Sequence, residues 1–350
     1  MTLTRRGKLT AVAGSAVVTL GTLLGVLALT GNTPAIIRQA ITTVTGGEEE
    51  PLPACPLTGR PAPHGVIPDR PVLAVKIENA PEARPQTGLQ HADIVYEEPV
   101  EGGLTRFIVL FHCVDGGTVG PVRSARTTDA DVLRQYDRPL LAYAGGASRV
   151  SKALEDARVL DLSYLEVPGP YWRDEGRAAP HNLYSTTKKL WGAGKGSKGG
   201  APRPVFVYDR EPGKAKRVRT VHLAFSWSSD VYWTWDTGKG RWLRSHGDEP
   251  HMLTEAGQVA AVNVVVQVVK VKAGDIIDAA GNASPEVTLI GNGKAYVFRD
   301  GRMIAGRWTR DSLEDATTFV SRSGEEISLM PGNTWVELYP SSLDVETSRK

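Results

Sequence analysis

From Pro71 to Pro340 the chain is punctuated as strands: short apolar runs, each closed by Gly, Asp, Asn or Pro, with helical periodicity confined to one stretch. That spacing restricts the fold to sheets with a few helices laid on them. PVLAVKIEN (71–79), ADIVYEEPV (92–100) and LTRFIVLFH (104–112) read as strands, and Glu101-Gly102-Gly103 supplies the turn between the last two. Thr127 or Thr128 caps a helix to about Tyr136, with Asp129 and Asp131 suited to the positive end of its dipole. LLAYAGG (140–146) reads as a strand, and Ser148 caps a second helix, SRVSKALEDA. After the flexible break WGAGKGSKGGAPRP (191–204) helical periodicity disappears. VHLAFS, VYWTWDT, RWLRSH, VNVVVQVVKV, VTLIGN, AYVFRD, MIAGRW and NTWVELYP follow, with hairpin signals at Gly291-Asn292-Gly293 and Asp300-Gly301. Trp227, Trp233, Trp235, Trp242, Trp308 and Trp335 all fall there, where aromatics at strand spacing read as core. The expectation is an α+β chain. A layered mixed-sheet domain with helices spans 56–190, a β-rich domain 205–340 and a tail 341–350.

The N-terminal region is of another kind. Arg5, Arg6 and Lys8 precede an uncharged run from Leu9 to Ile37, long enough to cross a hydrocarbon core. Residues 1–37 read as a signal anchor with the chain's bulk outside, a cleaved signal peptide being the alternative, and 38–55 as a linker. Leu52-Pro53-Ala54-Cys55 has some lipobox character, but it stands too far from the apolar run. In an oxidising compartment Cys55 and Cys113 are expected to pair. Two cysteines without a histidine pair at ligand spacing give no zinc site.

A net charge of +2 argues against nucleic acid as a partner. Charge is concentrated locally instead. Between Arg84 and Arg126 lie four arginines (with Arg106 and Arg123), three glutamates (Glu97, Glu98, Glu101) and two histidines (His91, His112). Strand cores have no use for so many charges, so the segment reads as a site. Gly120-Pro121-Val122-Arg123-Ser124-Ala125-Arg126 leads into a helix start, where free backbone N–H groups and bidentate arginines suit phosphate or carboxylate. Gly145-Gly146-Ala147-Ser148 is a second such turn. Neither is a P-loop, so no nucleotide or other cofactor is indicated.

For catalysis, Glu97 and Glu98 are strand neighbours and must point to opposite faces. Glu97 and Glu101 can share a site only if the chain bends at Pro99. His181, on the Pro-bounded loop RAAPHNLYST, is the best placed general base. No nucleophile elbow exists, and nothing local activates Ser124. Each of these groups has a structural alternative, as a partner in an internal ion pair or a turn.

PLTG (56–59), VKIEN (75–79), ARPQTGL (83–89), ADIVYEEPVEGGLTRF (92–107), VGPVRSAR (119–126), APHNLY (179–184) and PGNTWVELYP (331–340) together resemble the YerB-like lipoprotein family, a two-part domain of unknown function. The resemblance implies an exported, envelope-attached protein with an α+β first part and a β-rich second. It implies no reaction. Its polar pattern falls here on Glu78, Asn79, Arg84, Gln86, Glu97, Glu101, Arg106, Arg123, Ser124, Arg126, His181 and Asn182. The departure is the missing lipobox, which alters the attachment only.

The leading expectation is a membrane-attached extracytoplasmic protein, or a secreted one if the signal is cleaved. It binds an anionic wall polymer or glycan through Arg84, Arg106, Arg123 and Arg126, with Asn79, Gln86, Ser124 and Asn182 orienting the ligand. The alternatives are an envelope hydrolase or transferase using Glu97 or Glu101 with His181, and a protein-interaction scaffold.

Overall fold

The computed structural model describes residues 52–211, 215–278 and 280–349. The run 9–37 expected to anchor the chain lies outside them. Among the described residues no helix is long and apolar enough to cross a membrane.

Eleven strands carry the architecture: β1 Leu73–Glu78, β2 Ile94–Pro99, β3 Thr105–Phe111, β4 Leu140–Ala142, β5 Thr220–Ser226, β6 Ser229–Asp236, β7 Arg241–His246, β8 Asn263–Ile277, β9 Gly291–Arg299, β10 Arg302–Arg310 and β11 Thr334–Pro340. The larger sheet runs in the order β10-β9-β8-β11-β2-β3-β1-β4, with short strands at both edges. The chain is thus α+β and rich in strand. β11 lies between β2 and β8 and is parallel to both, with Glu97 opposite Glu337. Strands from both halves of the sequence therefore form one continuous sheet.

The near-continuous apolar runs of β1, β8 and β11 fit this place, because central strands are buried on both faces. On one face Ala74, Tyr96, Ile108 and Leu338 cluster with Val132 and Leu133 of helix α1 (Thr127–Leu133) and Val150 and Leu154 of helix α2 (Ser148–Asp156). On the other, Val75, Val95, Phe107 and Trp335 cluster with Val221, Leu223, Val231, Trp233 and Trp242 of the smaller antiparallel sheet β7-β6-β5. The Trp233 and Trp335 rings meet edge to face, centroids 5.2 Å apart. Truncating Trp335 to Ala is expected to cost about 3–5 kcal/mol.

Four of the tryptophans expected in the core are there: Trp233, Trp242, Trp308 and Trp335. Trp227 is not. It occupies the β5–β6 turn, where it has no opposing layer, and is 93% exposed.

The caps also differ from expectation. The residue before α1 is Arg126, whose backbone N–H donates to the Asp129 carboxylate at 2.5 Å, so Thr127 is already helical. Helix α2 starts at Ser148 because the Ala147 carbonyl accepts from Val150 and Ser151, and no side chain caps it. A third helix, α3 (Thr187–Ala193), crosses into the expected Gly-rich break, with the Thr186 hydroxyl capping Lys189 N–H at 3.2 Å. Cys55 and Cys113 form the expected bridge, 58 positions apart in sequence.

Candidate functional site

The strand ends of β1, β2 and β3 carry successive polar residues, and strand geometry sends neighbours to opposite faces. Glu97 and Glu98, Glu78 and Asn79, Thr105 and Arg106 are parted in this way. The result is two polar clusters, one on each face of the sheet.

On the face under the smaller sheet, Glu97 is the centre. Its two oxygens each accept from Arg244 Nη2 at 2.8 Å, and Oε1 also accepts from Thr105 Oγ1 at 2.6 Å and Asn79 Nδ2 at 3.4 Å. Arg244 Nη1 donates to His246 Nε2 at 2.8 Å and His251 Nδ1 at 2.7 Å. Both nitrogens must then be unprotonated acceptors, so both imidazoles are neutral. Burial first, and then the Arg244 charge, push the pKa of each histidine well down. His251 Nε2 donates onward to Gln86 Oε1 at 2.7 Å, and Gln86 Nε2 to the Glu78 carbonyl at 3.0 Å. Gln86 is held there by a turn through Gly88, whose φ of +94° and approach to the Thr118 carbonyl leave no room for a Cβ.

Glu337, opposite Glu97 in the ladder, accepts from Trp233 Nε1 at 2.8 Å. Burial and the neighbouring Glu97 carboxylate drive its pKa far up, so Glu337 keeps its proton. Arg84 reaches this cluster through the Asn79 carbonyl at 2.8 Å, and burial, then Arg244, lower its pKa to about 10. The Glu97, Arg244 and Glu337 side chains have no exposed surface.

On the helix-covered face, Lys76 is buried between Glu98 and Asp129, with Asp129 Oδ1 at 2.8 Å. Beside this triad lie Arg106, Arg123 and Arg126. Arg126 grips Glu101 with two nitrogens, Nε at 2.6 Å from Oε1. Burial alone would raise the Glu101 pKa, but bonds from Arg126 and Ser284 and the Arg126 charge hold it at about 2. Arg123 Nε meets Glu78 Oε1 at 2.9 Å, and the other Glu78 oxygen lies 2.8 Å from His181 Nδ1. Arg106 differs. Its Nη1 donates to the Ser124 carbonyl at 3.0 Å, and among the described residues it forms no ion pair. Burial, then the charges of Arg126 and Arg123, lower its pKa to about 10.

Of the residues singled out from the sequence, Arg106, Arg123, Ser124, Arg126, Glu101 and His181 belong to this second cluster. Asn79, Arg84, Gln86 and Glu97 belong to the first. The trio Glu97, Glu101 and His181 is therefore not assembled, because Glu97 faces the far side of the sheet. Asn182 joins neither cluster. It folds its own loop, accepting from Arg173 at 2.7 Å and donating to the Asp174 carbonyl at 3.2 Å. Sequence reasoning missed Arg244, His246, His251 and Glu337. The available signal was Glu337 itself, a carboxylate inside the apolar strand TWVELYP, where only a buried partner makes it tolerable.

A strand-rich α+β chain whose two halves share one sheet defines a two-part family by its architecture. The chain belongs to that family: the protein of unknown function (DUF3048) N-terminal domain matches residues 57–199, and its C-terminal domain matches 221–336. It is similar to "Putative lipoprotein YerB" of Bacillus subtilis (strain 168), 29% identical over 294 residues that cover 81% of this chain and 86% of that one. The crystal structure of YerB protein from Bacillus subtilis superposes with a TM-score of 0.73 at 27% identity, covering 84% of this chain and 99% of that chain.

Proposed function

We propose that this is an envelope-attached extracytoplasmic protein that binds an anionic polymer or glycan, with Arg106 as the residue that receives the ligand's charge. The observation that carries this reading is the uneven charge of the helix-side cluster. Arg123 and Arg126 each have a carboxylate in an ion pair, whereas among the described residues Arg106 has none and bonds the Ser124 carbonyl. A phosphate or carboxylate there would relieve the repulsion among three guanidinium groups and accept planar, bidentate bonds. The lipoprotein name of the similar Bacillus protein and the basic residues ahead of the apolar run 9–37 support placement outside the membrane.

The test is co-sedimentation of the full-length chain with purified anionic wall polymer at low and high salt. Wild type is expected to sediment at low salt and Arg106→Ala to stay in solution. Equal sedimentation of the two overturns the proposal.

One contact favours a hydrolase or transferase as a second reading: Glu78 orients His181 through Nδ1, leaving Nε2 for a proton. Polymer chain length, followed by mass after incubation with wild type and His181→Ala, decides that reading.

A further inference from the structure

A cavity of about 370 Å³ opens beside the Cys55–Cys113 bridge, away from both clusters. Its wall is built from both halves of the chain, with Arg60 and Gln90 from the first and Arg241 and Gln258 from the second. The volume lies within the range of small-ligand pockets, roughly 300–1,000 Å³. Arg60 stands at the exposed rim and Arg241 is half-buried. Among the described residues neither guanidinium makes an ion pair, and the only side-chain bond of Arg241 is to the Gly240 carbonyl at 3.2 Å. The two cations also feel one another: burial, then the Arg60 charge, lower the Arg241 pKa. Gln90 and Gln258 add amide side chains to the same wall. Asp93 lines the inner wall, but its carboxylate is turned onto the His112 backbone N–H at 2.6 Å.

We infer that this cavity is a second binding site, for a small organic anion. Arg60 and Arg241 take the charge. Phosphorylated sugars and N-acylated amino acids share that chemistry. The disulfide forms one wall and pins the segment that carries Arg60, since Cys55 lies five residues before it.

The experiment is isothermal titration calorimetry of the full-length chain in detergent with N-acetylglucosamine 1-phosphate, N-acetylalanine and inorganic phosphate. At least one organic anion is expected to saturate about tenfold more tightly than inorganic phosphate. Saturation by the first alone identifies a phosphorylated glycan, and by the second alone a peptide carboxylate. Arg60→Ala and Arg241→Ala should each weaken binding about tenfold or more, and Arg106→Ala should leave it unchanged, which separates this site from the one proposed above. Arg60 is exposed, so its truncation leaves the fold intact. The inference is overturned if neither organic anion saturates below about 10 mM, or if Arg60→Ala and Arg241→Ala both bind as wild type does. A loss shared equally by Arg106→Ala also overturns it.

Discussion

Arg244 and Glu97, 147 positions apart in sequence, form a completely buried ion pair in which one guanidinium nitrogen lies 2.8 Å from both carboxylate oxygens. One comes from each half of the chain, so the pair ties the smaller sheet to the larger. Removing either partner leaves the other charged and unpaired in an apolar layer. Arg244→Met and Glu97→Gln should each lower unfolding stability by about 3–5 kcal/mol in urea titrations. The double variant should be more stable than the sum of the two losses implies, and strict additivity would show the pair to be uncoupled.

The helix-side arginines should respond unequally. Arg126→Met strands Glu101, whose two oxygens it holds, and is expected to cost about 2–3 kcal/mol. Arg106→Met gives up one carbonyl bond but also relieves repulsion from Arg123 and Arg126, so its stability should stay within about 1 kcal/mol of wild type. Equal losses in differential scanning calorimetry would contradict the assignment of Arg106 as the arginine without an ion pair.

Asp93 and His112 are bonded neighbours with opposite pH linkage. Burial raises the Asp93 pKa to about 7 against backbone N–H bonds from His112 and Cys113 and the charges of Arg60 and Arg70. Between the unfolded carboxylate value and pH 7 the native state therefore holds a proton that the unfolded state has lost, and stability falls as pH rises. Burial lowers the His112 pKa to about 4, so there the unfolded state holds the extra proton and stability rises with pH up to the unfolded histidine value. The two slopes oppose one another in wild type. Asp93→Asn removes the first, and its stability relative to wild type should increase by about 1.4 kcal/mol per pH unit between roughly pH 4 and 7. Parallel urea-midpoint profiles would show that Asp93 does not titrate in that window.

Reduction of the Cys55–Cys113 bridge frees a loop with a sequence separation of 58. The chain-entropy relation gives about 4 kcal/mol for that closure. Cys55→Ser/Cys113→Ser, or wild type with dithiothreitol, should show that loss as a lower denaturation midpoint. No change on reduction would mean that the segment before Thr58 is held by its packing alone.

Much of this architecture is written locally. The runs around Val75, Val95 and Val109 are too apolar and too short for anything but central strands. The two-residue period alone parts Glu97 from Glu98. The helix-side cluster was legible because Arg106, Arg123 and Arg126 lie within one charged segment. The cluster around Glu97 was not, because Arg244 and Glu337 come from strands far along the chain, and their approach to Glu97 depends on parallel register and on sheet-on-sheet packing. Neither leaves a local mark. Helix α3 was obscured by the neighbouring glycines and lysines, although Thr186 was available as its cap. Trp227 misled for the converse reason: composition cannot distinguish an aromatic within a strand from one in the turn that ends it.

The position of β11 has a consequence for how this protein comes to exist. Residues 334–340 are synthesised long after β2, yet they occupy the middle of the sheet beside it. Until they arrive, β2 and β8 each present an unpaired backbone edge, the kind of surface on which foreign strands add. A chain cut short before Thr334 is thus not a smaller version of the same protein but one with two open seams, and a cell that makes it must guard both until that strand is delivered.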